Sequence, residues 1–319
     1  MSAPASMRAA GTGAVAAQRL RRYVAVLVLA IVAAIVLFVG ASLVLVRSAF
    51  YVRVSTYPYD AIATSRFALD GAYHDVLVIG DSSALRGVVP ADVTRETGLA
   101  TYNAALYAFS GLVSDDLLLR HYLAHNAVPR LVVLYVTPAA PAYDRMQGTY
   151  ERSFVLFRYG SPHQIAADIA ETPGVAFWPE AMLRRYLLPR RHARPGVSSA
   201  VTLKEIARNG GYVGTDEKPL GDDCRLDSRA DISNKDVLAA FRRKWAARLP
   251  DFALYIAPMA ACDSAYAYYA AQYRGLADNT IARLPNQDFV DYTHASAAGA
   301  HATSRLFADF IEKRRQNWK

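Results

Sequence analysis

A serine hydroxyl becomes a useful nucleophile when a base takes its proton and fixed donors receive the charge that develops during attack. In this 319-residue chain, Gly80-Asp81-Ser82-Ser83 directly follows a run of apolar residues, and Asp291-Tyr292-Thr293-His294 lies near the other end. A sharp turn after a strand exposes the Ser82 hydroxyl beside the N–H groups that open the next helix. His294 can accept the serine proton through one ring nitrogen. Asp291, three residues earlier, can hold the proton on the other nitrogen and stabilise the imidazolium. Taken alone, a Gly-Asp-Ser tripeptide is better read as a helix N-cap. Two such segments, each at the end of a strand in one α/β domain, make nucleophile chemistry the sharper reading.

Those strands and helices can be read from periodicity. Residues 74–80 form a short apolar run of the kind buried on both faces of a parallel sheet. Residues 90–98 open on Pro and close on Gly, as a short helix does. A strand over 100–105 follows, then a helix over 111–126 carried by Leu112, Leu117, Leu118, Leu119, Tyr122 and Leu123, then a strand over 131–136. Between 139 and 234 the rhythm breaks into Pro, Gly and charge, which predicts an insertion or lid with one amphipathic helix near 179–188. It resumes with a helix over 235–249, a strand over 252–257, a Tyr-rich helix over 266–276, a short strand at 289–290 and a last helix over 296–313. The fold class expected is α/β, a doubly wound parallel sheet whose ligands lie at the carboxyl ends of its strands.

Residues 23–46 carry no charge, and a helix of that length spans a hydrocarbon core of about 30 Å. Arg8, Arg19, Arg21 and Arg22 precede it, which places the leader, residues 1–22, in the cytoplasm and the rest outside, although Arg47 and Arg53 weaken the asymmetry. A cleaved signal peptide is the competing reading, but the apolar run is longer than the usual h-region of about 7 to 15 residues. The expected organisation is therefore a single-pass anchor at 23–46, a connector at 47–74 and one globular domain at 75–319.

Apolar residues make up 53% of the chain and charged residues 20%, which excludes a disordered or collagen-like chain. The net charge of +8 is spread along the sequence without a nucleic-acid motif, so no nucleic-acid partner is expected. Cys224 and Cys262 are too few for a disulfide framework and lack metal-site spacing. In an exported domain they can pair, which would stabilise it by ~4 kcal/mol, or they can stay as two buried thiols. His121 and His125 are four apart on a predicted helix but have no companion ligand, so no metal or cofactor is expected. The alternating apolar and basic residues 183–192 suit a membrane interface, an acidic glycan or an ordinary exposed helix. The tyrosines at 266, 268, 269 and 273 suit core packing better than sugar stacking.

Gly80-Asp81-Ser82-Ser83 and Asp291-Tyr292-Thr293-His294 resemble the first and last sequence blocks of the SGNH (GDSL-type) hydrolase superfamily. The resemblance implies a flavodoxin-like sheet and an ester hydrolase or acyltransferase, with Ser82 as nucleophile, His294 as base and Asp291 as acid. The single anchor and outward orientation further resemble the membrane-tethered members, including the alginate-acetylation and DltD-like groups. These imply a bacterial inner-membrane protein with a periplasmic catalytic domain, an exported polysaccharide or other acylated glycan as partner, and a membrane-bound acyl-donating protein. The family's second block supplies a glycine N–H to the oxyanion hole, and Gly111 is the candidate here. Its third block carries an asparagine that this chain lacks after Tyr135-Val136-Thr137-Pro138, leaving Thr137, Asn103 or backbone groups as substitutes. One missing oxyanion donor typically costs ~3 to 4 kcal/mol of transition-state stabilisation. That gap supports a second expectation, a glycan-binding or scaffold subunit that kept the fold and lost the chemistry.

Overall fold

The computed structural model describes residues 6–55, 57–144, 149–171 and 199–318. The chain divides into two compact units, Met1–Ser48 and Ala49–Lys319. The first is helix α1, Ser6–Arg47, of which the 31 residues Ala17–Arg47 are long and apolar enough to cross a membrane. A helix of that length rises about 46 Å, more than the hydrocarbon thickness of about 30 Å.

In the second unit the apolar runs form a four-stranded parallel sheet. Its strands are β1 (Val76–Gly80), β2 (Thr101–Asn103), β3 (Leu131–Val136) and β4 (Phe252–Ile256), in the order β2-β1-β3-β4. Every residue of β1 and β3 is buried, which is why both read as continuous apolar runs without alternation. The β1–β3 register pairs Gly80 with Tyr135. Gly80 has φ +132, and a Cβ at this position would sit 1.9 Å from the Tyr135 carbonyl oxygen. Only glycine lets β1 lie this close to β3 at the point where the chain leaves the sheet.

Helices α4 (Ser82–Gly87) and α5 (Pro90–Thr97) follow β1, and α6 (Gly111–His125) follows β2. The last helix, Ala297–Arg315, packs against α4 and α5 on one face of the sheet. On the other face, α6 lies beside the helix Asp236–Ala246, where Lys244 and Trp245 both donate to Asp116. The helices predicted over 90–98, 111–126, 235–249, 266–276 and 296–313 all form, with ends shifted by a few residues.

Three expectations are corrected. The strand predicted at 289–290 does not join the sheet; Phe289 makes only an isolated antiparallel bridge to Ala295. The free edge of β4 is closed instead by side chains. Asp278 and Asn279 accept from the amides of Leu254 and Ile256, while the Asp278 amide and the Asn279 side chain donate to the carbonyls of the same two residues. The segment 47–74, expected as an irregular connector, contains α2 (Ala49–Val54) and α3 (Pro58–Phe67), both within the second unit. Asp60 is fully buried there and accepts from the hydroxyls of Ser55 at 2.5 Å and Tyr150 at 2.9 Å. The first part of 139–234, expected as an insertion or lid with one helix, holds more regular structure than that and adds α8 to the core. It forms α7 (Ala140–Asp144), α8 (Tyr150–Tyr159) and α9 (Pro162–Glu171), and Phe154, Val155, Leu156 and Phe157 of α8 are buried. Helix α10, Ser199–Arg208, packs against α3. The helix predicted near 179–188 and the basic stretch 183–192 lie outside the described residues.

Cys224 and Cys262 form a disulfide with a Cα–Cα distance of 5.7 Å. The hydroxyls of Tyr266, Tyr268, Tyr269 and Tyr273 donate to the backbone carbonyls of Ile281, Ala230, Ser228 and Pro138, and Tyr269 and Tyr273 are buried in the core while Tyr266 and Tyr268 are half-buried. His121 is tied to the Phe67 carbonyl and His125 to the His121 carbonyl. His301 pairs with Asp92, joining α5 to the last helix.

Candidate active site

Ser82 opens α4 immediately beyond β1. The preceding residue, Asp81, is the N-cap, with extended backbone and a side chain that accepts from the Ser83 amide at 2.8 Å and the Ser83 hydroxyl at 2.5 Å. Its second oxygen accepts from the Thr137 amide at 2.8 Å, so Asp81 ties the nucleophile turn to the end of β3. The Ser82 amide occupies the first helical position and has no intrahelical acceptor.

The opposite wall is the loop between Phe289 and Ala295. It is pinned where the Ser296 amide donates to Asp288, the Val290 amide donates to His294, and the Ser296 side chain caps the Gly299 amide. A Cβ on Gly299 would meet the Asp288 carbonyl at 1.8 Å, so glycine is what lets the last helix begin against this turn. Within the loop Asp291 accepts from the amides of Thr293 at 2.7 Å and His294 at 2.8 Å. Its other oxygen accepts from His294 Nδ1 at 2.7 Å, which leaves Nε2 as the acceptor of the Ser82 hydroxyl at 2.9 Å. Residues 212 positions apart thus share one hydrogen-bond chain, Ser82 to His294 to Asp291, at the carboxyl end of the sheet.

The electrostatics of the site differ from one carboxyl to the next. Partial burial pushes the Asp291 carboxyl up, but the hydrogen bond and charge of His294 and the two loop amides outweigh this and hold it well below the usual carboxylate range. Burial raises Asp81 despite its three donors. Asp115 on α6 is pushed much higher, by burial first and then by the charge of Asp81, and its Oδ1 has no hydrogen-bond partner.

At the three positions expected to supply oxyanion donors, the described hydrogen bonds run elsewhere. The Gly111 amide donates to the Ala108 carbonyl, because the turn Ala108–Ser110 closes on it. The Asn103 side chain is fully buried and donates to Ala84 and Val88 at 2.7 and 2.9 Å, holding α4 rather than facing a ligand. The Thr137 amide is bound to Asp81. Sequence reasoning weighed the Gly-Asp-Ser turn as a helix N-cap, but neither the hold of Asp81 on the Thr137 amide nor Asp115 carried a local signal.

No family model matches the chain, and no curated protein matches it.

Proposed function

We propose that the protein is a serine acyl-ester enzyme of the SGNH type, anchored in a membrane by α1, with Ser82, His294 and Asp291 as its triad. The observation that carries this reading is the unbroken chain from Ser82 Oγ to His294 Nε2 at 2.9 Å and from His294 Nδ1 to Asp291 at 2.7 Å. The strand order β2-β1-β3-β4 supports the family, since it matches the first four positions of the flavodoxin-like order. An outward-facing periplasmic domain acting on an exported acylated glycan is the setting that the resemblance adds.

In this mechanism Ser82 Oγ attacks the ester carbonyl while its proton passes to His294 Nε2. The imidazolium, held by Asp291, then gives that proton to the departing oxygen as the ester bond breaks and acyl-Ser82 remains. A sugar hydroxyl or water attacks the acyl-enzyme, losing its proton to His294, which returns it to Ser82. The Ser82 amide is one donor to the oxyanion. With the amides of Gly111 and Thr137 and the Asn103 side chain engaged elsewhere, the remaining donation falls to other groups or to a rearranged loop.

That engagement is also what favours the second reading, a glycan-binding or scaffold subunit. A fluorophosphonate probe separates the two. The full-length protein is expected to label in the wild type and not as Ser82→Ala or His294→Ala. An unlabelled but folded wild type would leave the scaffold.

A further inference from the structure

We infer that Phe109, Tyr143 and Tyr292 form an aromatic platform beside Ser82 that receives a sugar ring of the acyl donor or acceptor; this rests on reading Ser82 as the acyl-carrying nucleophile. The three side chains come from three elements that meet at the carboxyl end of the sheet. Phe109 lies in the turn after β2, Tyr143 on α7, and Tyr292 in the catalytic loop next to Asp291 and two residues before His294. They form one row. The rings of Phe109 and Tyr143 meet edge to face at 5.6 Å, and the hydroxyls of Tyr143 and Tyr292 hydrogen-bond at 2.9 Å.

Phe109 and Tyr292 are each 40% exposed, in a unit whose other large rings are mostly buried. Single exposed aromatics need no explanation, but a row of them joined to the loop that carries Asp291 and His294 does. The turn that carries Phe109 reaches the residue before the nucleophile, since Ala108 and Gly111 line the same small cavity as Asp81.

The chemistry of the row selects the ligand. Each exposed ring offers an apolar face, while the paired phenols use one O–H between them and leave the second O–H and spare lone pairs at the rim. A pyranose matches this pattern, with C–H groups on its faces and hydroxyls around its edge. A long acyl chain does not. It needs a roomy apolar slot, and the space adjoining Asp81 is only about 20 Å³.

Calorimetric titration tests this without requiring turnover. The full-length Ser82→Ala protein, in phosphatidylcholine nanodiscs to avoid sugar-headed detergents, is titrated with six-residue gluco-, manno-, galacto- and uronate oligosaccharides. At least one is expected to bind, and Phe109→Ala and Tyr292→Ala are each expected to weaken it by about fivefold, with melting temperature confirming the fold. Absence of binding by the whole panel, or binding indifferent to both ring substitutions, would overturn the platform. Tighter binding of octanoyl glycerol than of every oligosaccharide would overturn the sugar assignment. Failure of fluorophosphonate labelling in the wild type would strike the catalytic reading instead, and the titration still decides the platform by its own outcome.

Discussion

Asp291 and Asp81 flank the same serine, each with several hydrogen-bond donors, and end with opposite electrostatics. Asp291 has a side chain 39% exposed and faces His294, so its negative charge is favoured. Asp81 is 4% exposed and lies near Asp115, so burial outweighs the donation from Ser83 and Thr137. Counting donors would have ranked the two alike. Access to water and to a cationic partner decides the charge, and it separates a front built to hold an imidazolium from a back built to hold the nucleophile turn in place.

Removing Ser82 breaks the front most severely. Ser82→Ala is expected to abolish fluorophosphonate labelling and to lower turnover of p-nitrophenyl acetate by about 10⁶-fold. Labelling that survived would move the nucleophile elsewhere. Asp291→Asn keeps the shape but disturbs the His294 tautomer, and kcat is expected to fall about 10⁴-fold. A loss below tenfold in a steady-state assay would mean that Asp291 does not orient the imidazole.

At the back the effects concern stability. Gly80→Ala drives a methyl into the Tyr135 carbonyl and is expected to cost about 3 kcal/mol, read from the urea midpoint of unfolding. An unchanged midpoint would show that β1 and β3 part easily there.

The smallest effect sharpens the contrast through pH. Because the folded-state pKa of Asp115 is raised, the folded protein holds its proton over a range where the unfolded chain has lost it, and stability falls as pH rises above the ordinary carboxylate value. Asp115→Asn should therefore raise the melting temperature increasingly from pH 4 to pH 8. Asp291 behaves in the opposite sense. Its pKa is depressed, so its contribution is present above the ordinary carboxylate value and fades on acidification. The gap between wild type and Asp291→Asn should narrow toward acid. Parallel pH trends for the two variants would remove the distinction between front and back.

Much of this was legible from the chain. The Gly80–Ser83 segment sits at the end of β1 as its apolar flank implied, whereas Asp291–His294 lies in a loop with no strand before it, and the buried strands read as unbroken apolar runs because both faces are covered. The helix Pro58–Phe67 was not legible. Tyr59, Asp60, Ala61, Ile62, Ala63, Arg66 and Phe67 are all buried, so it presents no apolar stripe against a polar face. The oxyanion donors met a different limit. Gly111, Asn103 and Thr137 are near the expected places in the chain, but a donor is available only if no nearer acceptor has taken it.

The sequence by itself determined residue type and order: an uncharged membrane-length helix, alternating strands and helices, a serine just past an apolar run, and an aspartate and a histidine three residues apart near the other end. Tertiary structure decided which polar groups were already spent, how the edge of β4 was closed and which carboxyl kept its charge. These outcomes depend on distances between segments far apart in the chain, and hydrogen bonding and burial act over only a few ångströms, so local sequence does not encode them.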